Sequence, residues 1–267
     1  MEILQAAFLG VIQGFTEFLP VSSTGHLILV RDVLGMNIPN GLTYDIFLHL
    51  ATVLAVFLYF RKDIIRMAAS AFRLITRPES VVPQEKTLIT AIAIGTIPAA
   101  VLGFAFNSVI ETSFRNPLLV ATALILGSVL FGYAEKKSTE KESLSNKKGF
   151  VIGFYQALAL IPGVSRSGST ISGGLITGLS REEAVRFSFL LSFPIITAAG
   201  LYKVIKFSDV LFATSAFVPS LVGFFVALVS GLCAIRFLIR FLKTHSLIPF
   251  IVYRIMLAAL VIIVTLF

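Results

Sequence analysis

The chain has 267 residues, 57% of them hydrophobic and 13% charged, with a net charge of +8 and a mean hydropathy of +0.94. Soluble domains carry about 25% charged residues, so this composition excludes a single core wrapped in water. Apolar runs of spanning length point to an α-helical membrane protein, since barrel strands would be short and alternating. The basic residues sit in the loops between those runs, which reports orientation and argues against a nucleic-acid partner. With one cysteine, Cys233, no internal disulfide forms. The first residues lack a positive flank and a small-residue cleavage site, so no removable signal peptide is expected.

In chain order, residues 3–34 are apolar at both ends and interrupted by Gln13, Thr16, Glu17, Pro20 and the run Ser22-Ser23-Thr24-Gly25-His26. Three full spans follow, at residues 43–60, 87–106 and 116–134. Residues 135–148 are charged and read as a solvated cytoplasmic linker. Residues 149–179 are again apolar at both ends, broken by Pro162, Gly163 and the run Ser165-Arg166-Ser167-Gly168-Ser169-Thr170. Three further spans follow, at 182–202, 216–238 and 247–267. The arms of each broken segment are too short to cross, so each reads as a re-entrant helical hairpin, tolerated at depth only inside protein or beside a wet cavity.

The two broken segments resemble one another. Gly10 and Gly153, Gln13 and Gln156, Ser22 and Ser165, and Gly25 and Gly168 are all 143 residues apart. The expected architecture is all-α and polytopic, six transmembrane helices plus two re-entrant hairpins in one membrane domain. Its halves, 1–134 and 149–267, each cross three times, and an odd number of crossings makes them an inverted repeat. Sixteen Lys and Arg fall on one side and four on the other. The richer side is expected in the cytoplasm, with both termini outside.

Ionisable groups at membrane depth cost about 2.5–3.5 kcal/mol each on insertion scales, which singles out Glu17, His26 and Arg166. Around Arg166, glycines and a helix start suit a phosphate, and the planar guanidinium can hold two of its oxygens. Ser165, Ser167 and Thr170 add hydroxyl donors. In the first segment Gln13, Thr16 and Glu17 share a helical face. Glu17 can ligate a hard cation or accept a proton, and His26 can serve as acid, base or nucleophile. Ser23, in reach of both, can itself become a nucleophile. Asp45 and His49 read as an ordinary helical contact, and Arg254 as a side chain snorkelling to the cytoplasmic interface.

The runs Gln13-Gly-Phe-Thr-Glu17-Phe-Leu-Pro-Val-Ser-Ser-Thr-Gly-His26 and Pro162-Gly-Val-Ser-Arg166-Ser-Gly-Ser-Thr170 resemble the two signatures of the undecaprenyl pyrophosphate phosphatases, also called bacitracin-resistance proteins. The resemblance covers essentially the whole chain. It implies a bacterial plasma-membrane hydrolase that returns undecaprenyl diphosphate to the monophosphate for cell-wall synthesis, with a site open to the outer face. It implies Glu17, Ser23, His26 and Arg166 as catalytic residues. Gln13, Ser22, Thr24, Ser165, Ser167, Gly168 and Thr170 would bind substrate. It also implies a divalent cation, Mg2+ or Ca2+, on Glu17; Gln at position 13 weakens schemes that need two carboxylates on the metal. Ser23 and His26 both stand as nucleophile, and a homodimer is left open. A flippase or transporter of an anionic prenyl phosphate lipid is the alternative, because inverted repeats with broken helices also build transporters.

Overall fold

The computed structural model describes residues 3–30, 41–106, 116–140, 142–206 and 217–266. Among them are eleven α-helices. They are α1 (Ile3–Phe18), α2 (Ser23–Ile28), α3 (Gly41–Tyr59), α4 (Arg61–Thr76), α5 (Pro83–Ala105), α6 (Pro117–Lys137), α7 (Asn146–Leu158), α8 (Arg166–Ile176), α9 (Arg181–Lys206), α10 (Phe217–Leu242) and α11 (Ile248–Leu266). Helices α5, α6, α9, α10 and α11 are each long and apolar enough to cross a membrane, and α3 with α4 provides a sixth candidate as a pair bent by 83°. The chain is a multi-pass helical membrane protein. The two expected hairpins are the pairs α1–α2 and α7–α8; residues 31–34 of the first lie outside the described residues.

Two features differ from the sequence reading. Residues 61–76, counted there as a basic loop, form α4. Its charges Arg61, Lys62, Arg66 and Arg73 share the helix with exposed Ile65, Phe72 and Ile75, the pattern of a helix lying in an interface. Residues 135–148 are also not simply solvated. Glu135 ends α6 in a two-pronged pair with Arg181, both contacts at 2.7 Å. The same carboxylate accepts the backbone N–H of Leu247 at 2.6 Å, fixing the start of α11. A planar guanidinium matching both carboxylate oxygens explains why this linker docks.

The packing partners are exchanged between the halves. Helix α1 lies along α10, α7 lies along α5, and α8 is enclosed by α6, α7 and α9. With apolar lipid outside, helix association relies on close backbone approach rather than on the hydrophobic effect. At Gly10 an added Cβ would meet the carbonyl of Gly223, and at Gly153 it would meet the backbone of Gly95. Each hairpin's first helix therefore crosses a glycine of the opposite half, at positions 143 residues apart.

Gly153→Ala is expected to destabilise by about 1–3 kcal/mol, because rigid backbone must move. Gly132→Ala, whose Cβ meets only the Ile251 side chain at 3.9 Å, should be neutral or stabilising by up to about 1 kcal/mol. Thermal unfolding in detergent reads both; equal Tm values would contradict the close approach.

Candidate active site

The two hairpins differ in their turns but enter the second helix through the same serine cap. After α1, Val21 N–H closes a turn on the Leu19 carbonyl, and Ser22 takes φ 73° and ψ 99° before capping α2. After α7, Val164 N–H bonds the Ile161 carbonyl, Gly163 takes φ 104°, and Ser165 takes φ 78° and ψ 116° before capping α8. Each cap hydroxyl accepts from the N–H three residues on, Gly25 in one case and Gly168 in the other, at 3.3 and 3.4 Å. A non-glycine residue in this backbone region costs about 1–3 kcal/mol and persists only where its surroundings dictate it. Both serines sit at the hairpin tips.

The tips meet through charge. Arg166, the first residue of α8, donates from Nη2 to Glu17 Oε1 at 3.1 Å, and the two side chains are only 13% and 12% exposed. The other carboxylate oxygen, Glu17 Oε2, accepts from Ser23 Oγ at 2.9 Å and from Gln13 Nε2 at 3.1 Å. Two polar atoms here remain buried without a partner, Arg166 Nη1 and Gln13 Oε1. Both are free to bond a ligand or water that enters the site. A cavity of ≈ 170 Å³ opens beside the pair, lined by Thr16, Glu17, Ser22, Ser23, Thr24, His49, Gly163, Ser165 and Arg166, among others.

His26 is placed differently. Its Nδ1 lies 2.8 Å from the Ser22 carbonyl, which can only accept, so Nδ1 carries the proton. Nε2 is left with a lone pair, and Tyr253 of α11 donates its hydroxyl to it at 2.6 Å. The two rings are stacked, 4° from parallel. His26 is buried against α11 and is not among the residues lining the cavity.

The structure thus gathers Glu17, Ser22, Ser23, Thr24, Ser165 and Arg166 around one cavity, with Gln13 behind Glu17. Ser167, Gly168 and Thr170 stand further back. Ser167 Oγ donates to the Leu19 carbonyl at 3.1 Å, tying one hairpin to the other. Thr170 bonds the Arg166 carbonyl and Ser188, and Gly168 packs against the ring of Phe131. His49 and Arg254 have ordinary roles in the sequence reading and Tyr253 has none, yet all three lie in the site region. His49 bonds the Asp45 backbone carbonyl through Nδ1, as its helical spacing implies, yet it also lines the cavity. Tyr253 caps His26. Arg254 does not snorkel: it is fully buried and bonds Ser128, Leu124 and Gly163. The signal that could have flagged Arg254 was its depth in an apolar helix.

A second, apolar cavity of ≈ 830 Å³ lies between α5, α6 and α7, lined by Leu102, Phe106, Leu130, Phe154, Leu158 and Ile161 among others. Ile161 also lines the polar cavity. The two therefore share a wall at Ile161, in the turn between α7 and α8.

Comparison with known proteins gives the family. The family model described as bacitracin resistance protein BacA matches residues 6–260. An undecaprenyl-diphosphatase of Rubrobacter xylanophilus is 43% identical over 265 residues, covering 98% of this chain and 97% of the relative. One of Elusimicrobium minutum is 43% identical across 100% of this chain and 99% of its own. One of Myxococcus xanthus is 41% identical across 98% and 89%. With full-length relatives above 40% identity and a family match spanning nearly every described helix, the chain belongs to the BacA bacitracin-resistance family.

Proposed function

We propose that the chain is a phosphatase that hydrolyses undecaprenyl diphosphate to undecaprenyl phosphate and inorganic phosphate, recycling the carrier for cell-wall synthesis. The observation that carries this reading is the Ser23–Glu17–Arg166 constellation, a hydroxyl, a base and a phosphate-binding cation joined across two hairpin tips. The relatives' name, undecaprenyl-diphosphatase, specifies the substrate. A transporter reading would rest on the repeat alone and leaves that constellation without a task.

In this mechanism Arg166 offers the unpartnered Nη1 to the terminal phosphate, and the α8 N-terminal amides add donors where charge develops. Ser23 Oγ attacks the terminal phosphorus while its proton passes to Glu17 Oε2, to which it is already bonded. The bond to the bridging oxygen breaks, and prenyl phosphate leaves with the electron pair. Water then attacks the phosphoserine and releases inorganic phosphate, and Ser23 recovers its proton from Glu17. Ser23 is preferred over His26 because it lines the cavity, whereas both ring nitrogens of His26 are engaged elsewhere.

Among the described residues no group of three or more His, Cys, Asp and Glu gathers into a metal cage. Glu17 and the unpartnered Gln13 Oε1 are hard oxygen donors, which fits Mg2+ or Ca2+ shared with substrate phosphates. Such an ion would neutralise charge on the diphosphate. The prenyl chain would lie in the apolar cavity that adjoins the site at Ile161. Because lipid is equally apolar, that groove orients the chain rather than drawing it from water.

We read the halves as an inverted duplication in the bacterial plasma membrane, with termini and site on the outer face. Support comes from the equivalent strained serines, the exchanged glycine contacts and the lysine–arginine asymmetry.

Ser23→Ala and Arg166→Ala are expected to lower kcat/KM for phosphate release about 100- to 1000-fold, with Glu17→Gln comparable. Near wild-type rates would overturn the mechanism. A trapped phosphoenzyme should be acid-stable and alkali-labile; the reverse would indicate phosphohistidine. Chelator should abolish turnover, and added Mg2+ or Ca2+ should restore it. Val151→Trp, which fills the apolar groove, should raise KM about fivefold for undecaprenyl diphosphate and leave dimethylallyl diphosphate unchanged. Equal effects on both would remove the chain from the groove. A C-terminal tag should be open to protease in intact spheroplasts.

A further inference from the structure

We infer that Tyr253 and Arg254, consecutive residues of α11, are positioning residues that hold the two halves of the site in register, one hairpin each. The inference rests on the phosphatase reading above. Neighbouring residues on a helix point about 100° apart, so one turn of α11 can reach both tips. Tyr253 reaches the first, donating to His26 Nε2 at 2.6 Å while the Ser22 carbonyl holds Nδ1. With both nitrogens bonded, the ring has one tautomer and one orientation.

Arg254 reaches the second. It is fully buried. Its Nη2 donates to the carbonyls of Gly163 and Leu124, each at 3.0 Å, and its Nε donates to Ser128 Oγ at 3.1 Å. The guanidinium lies 4.7 Å from the centre of the Phe131 ring. Among the described residues no carboxylate pairs with it. A buried guanidinium neutralised only by carbonyls, a hydroxyl and a ring face is a costly way to brace two helices. What it secures is Gly163, the positive-φ residue three before Arg166 whose carbonyl orientation sets the turn. The fold makes room for it: a Cβ at Gly127 would collide with Arg254 Nη2 and approach the Val164 carbonyl.

The test is a pair of kinetic cycles on the full chain in detergent, read as phosphate release from undecaprenyl diphosphate. Tyr253→Phe removes one hydroxyl from a partly exposed side chain and should leave Tm unchanged. It should lower kcat about tenfold with KM within twofold, since a small misplacement near the chemistry has effects of this order. In a His26→Ala background the same change should move the residual kcat by less than about twofold. Arg254→Lys keeps the charge but loses the fork. It should raise KM about fivefold in the wild type and less than about twofold in an Arg166→Ala background. Losses of equal size in both backgrounds, or wild-type kinetics from either variant, overturn the inference. Wild-type kinetics from Arg166→Ala itself would instead sink the phosphatase reading, whereas wild-type kinetics from His26→Ala would overturn the positioning role of Tyr253. A readout independent of turnover is nitrogen NMR of the histidines. Tyr253→Phe should shift the His26 Nε2 resonance and leave Nδ1 protonated, and an unchanged spectrum counts against the proposal.

Discussion

The contact on which the rest depends is the ion pair between Glu17 and Arg166. Both charges are nearly buried, and removing one partner of a buried pair typically costs about 3–5 kcal/mol. Neither hairpin can present its charged residue without the other, so both must enter far enough to touch. That requirement brings Ser23 to a carboxylate oxygen and places Arg166 at the start of α8, where backbone dipoles also favour an anion. On the proposed mechanism the ion pair and the catalytic apparatus would be the same atoms.

The hairpin tips store strain as well as charge. Ser22 and Ser165 share an unfavourable backbone conformation, the same capping role and a separation of 143 residues. Strain at one position could be incidental to a tight turn; at two equivalent positions flanking one cavity it is a built feature. Beyond the turns, Ser23 and Arg166 both reach Glu17, one at each carboxylate oxygen. Ser167, bonding back to the Leu19 carbonyl, and the Tyr253-Arg254 pair supply the surrounding bonds that such a conformation needs.

Packing without a hydrophobic driving force explains the glycines and the exchanged helix partners. A helix in a membrane gains little from burying leucines when lipid offers them the same environment. Close approach of α1 to α10 and of α7 to α5 gains dispersion contacts instead. It also leaves the apolar cavity beside α7 bounded by larger side chains such as Phe106 and Phe154. The polar and apolar cavities meet at Ile161, where a diphosphate head and a prenyl tail would join.

The sequence by itself determined the class, the broken helices, their resemblance and the main polar residues. Each follows from local facts: run length, a proline or glycine interruption, and an ionisable residue where none is comfortable. The amphipathic α4 was missed because its charges were counted for orientation and its apolar face was not. Only the tertiary structure decided which polar groups share a cavity. It paired Glu17 with Arg166, 149 positions away, turned His26 toward Tyr253, brought His49 to the cavity wall and buried Arg254 against Gly163. The reason is physical. Helical spacing says which face a side chain shares with its neighbours, but not which helix comes to cover that face. In this chain that was settled by backbone contacts between the halves and by the need of two buried charges for each other.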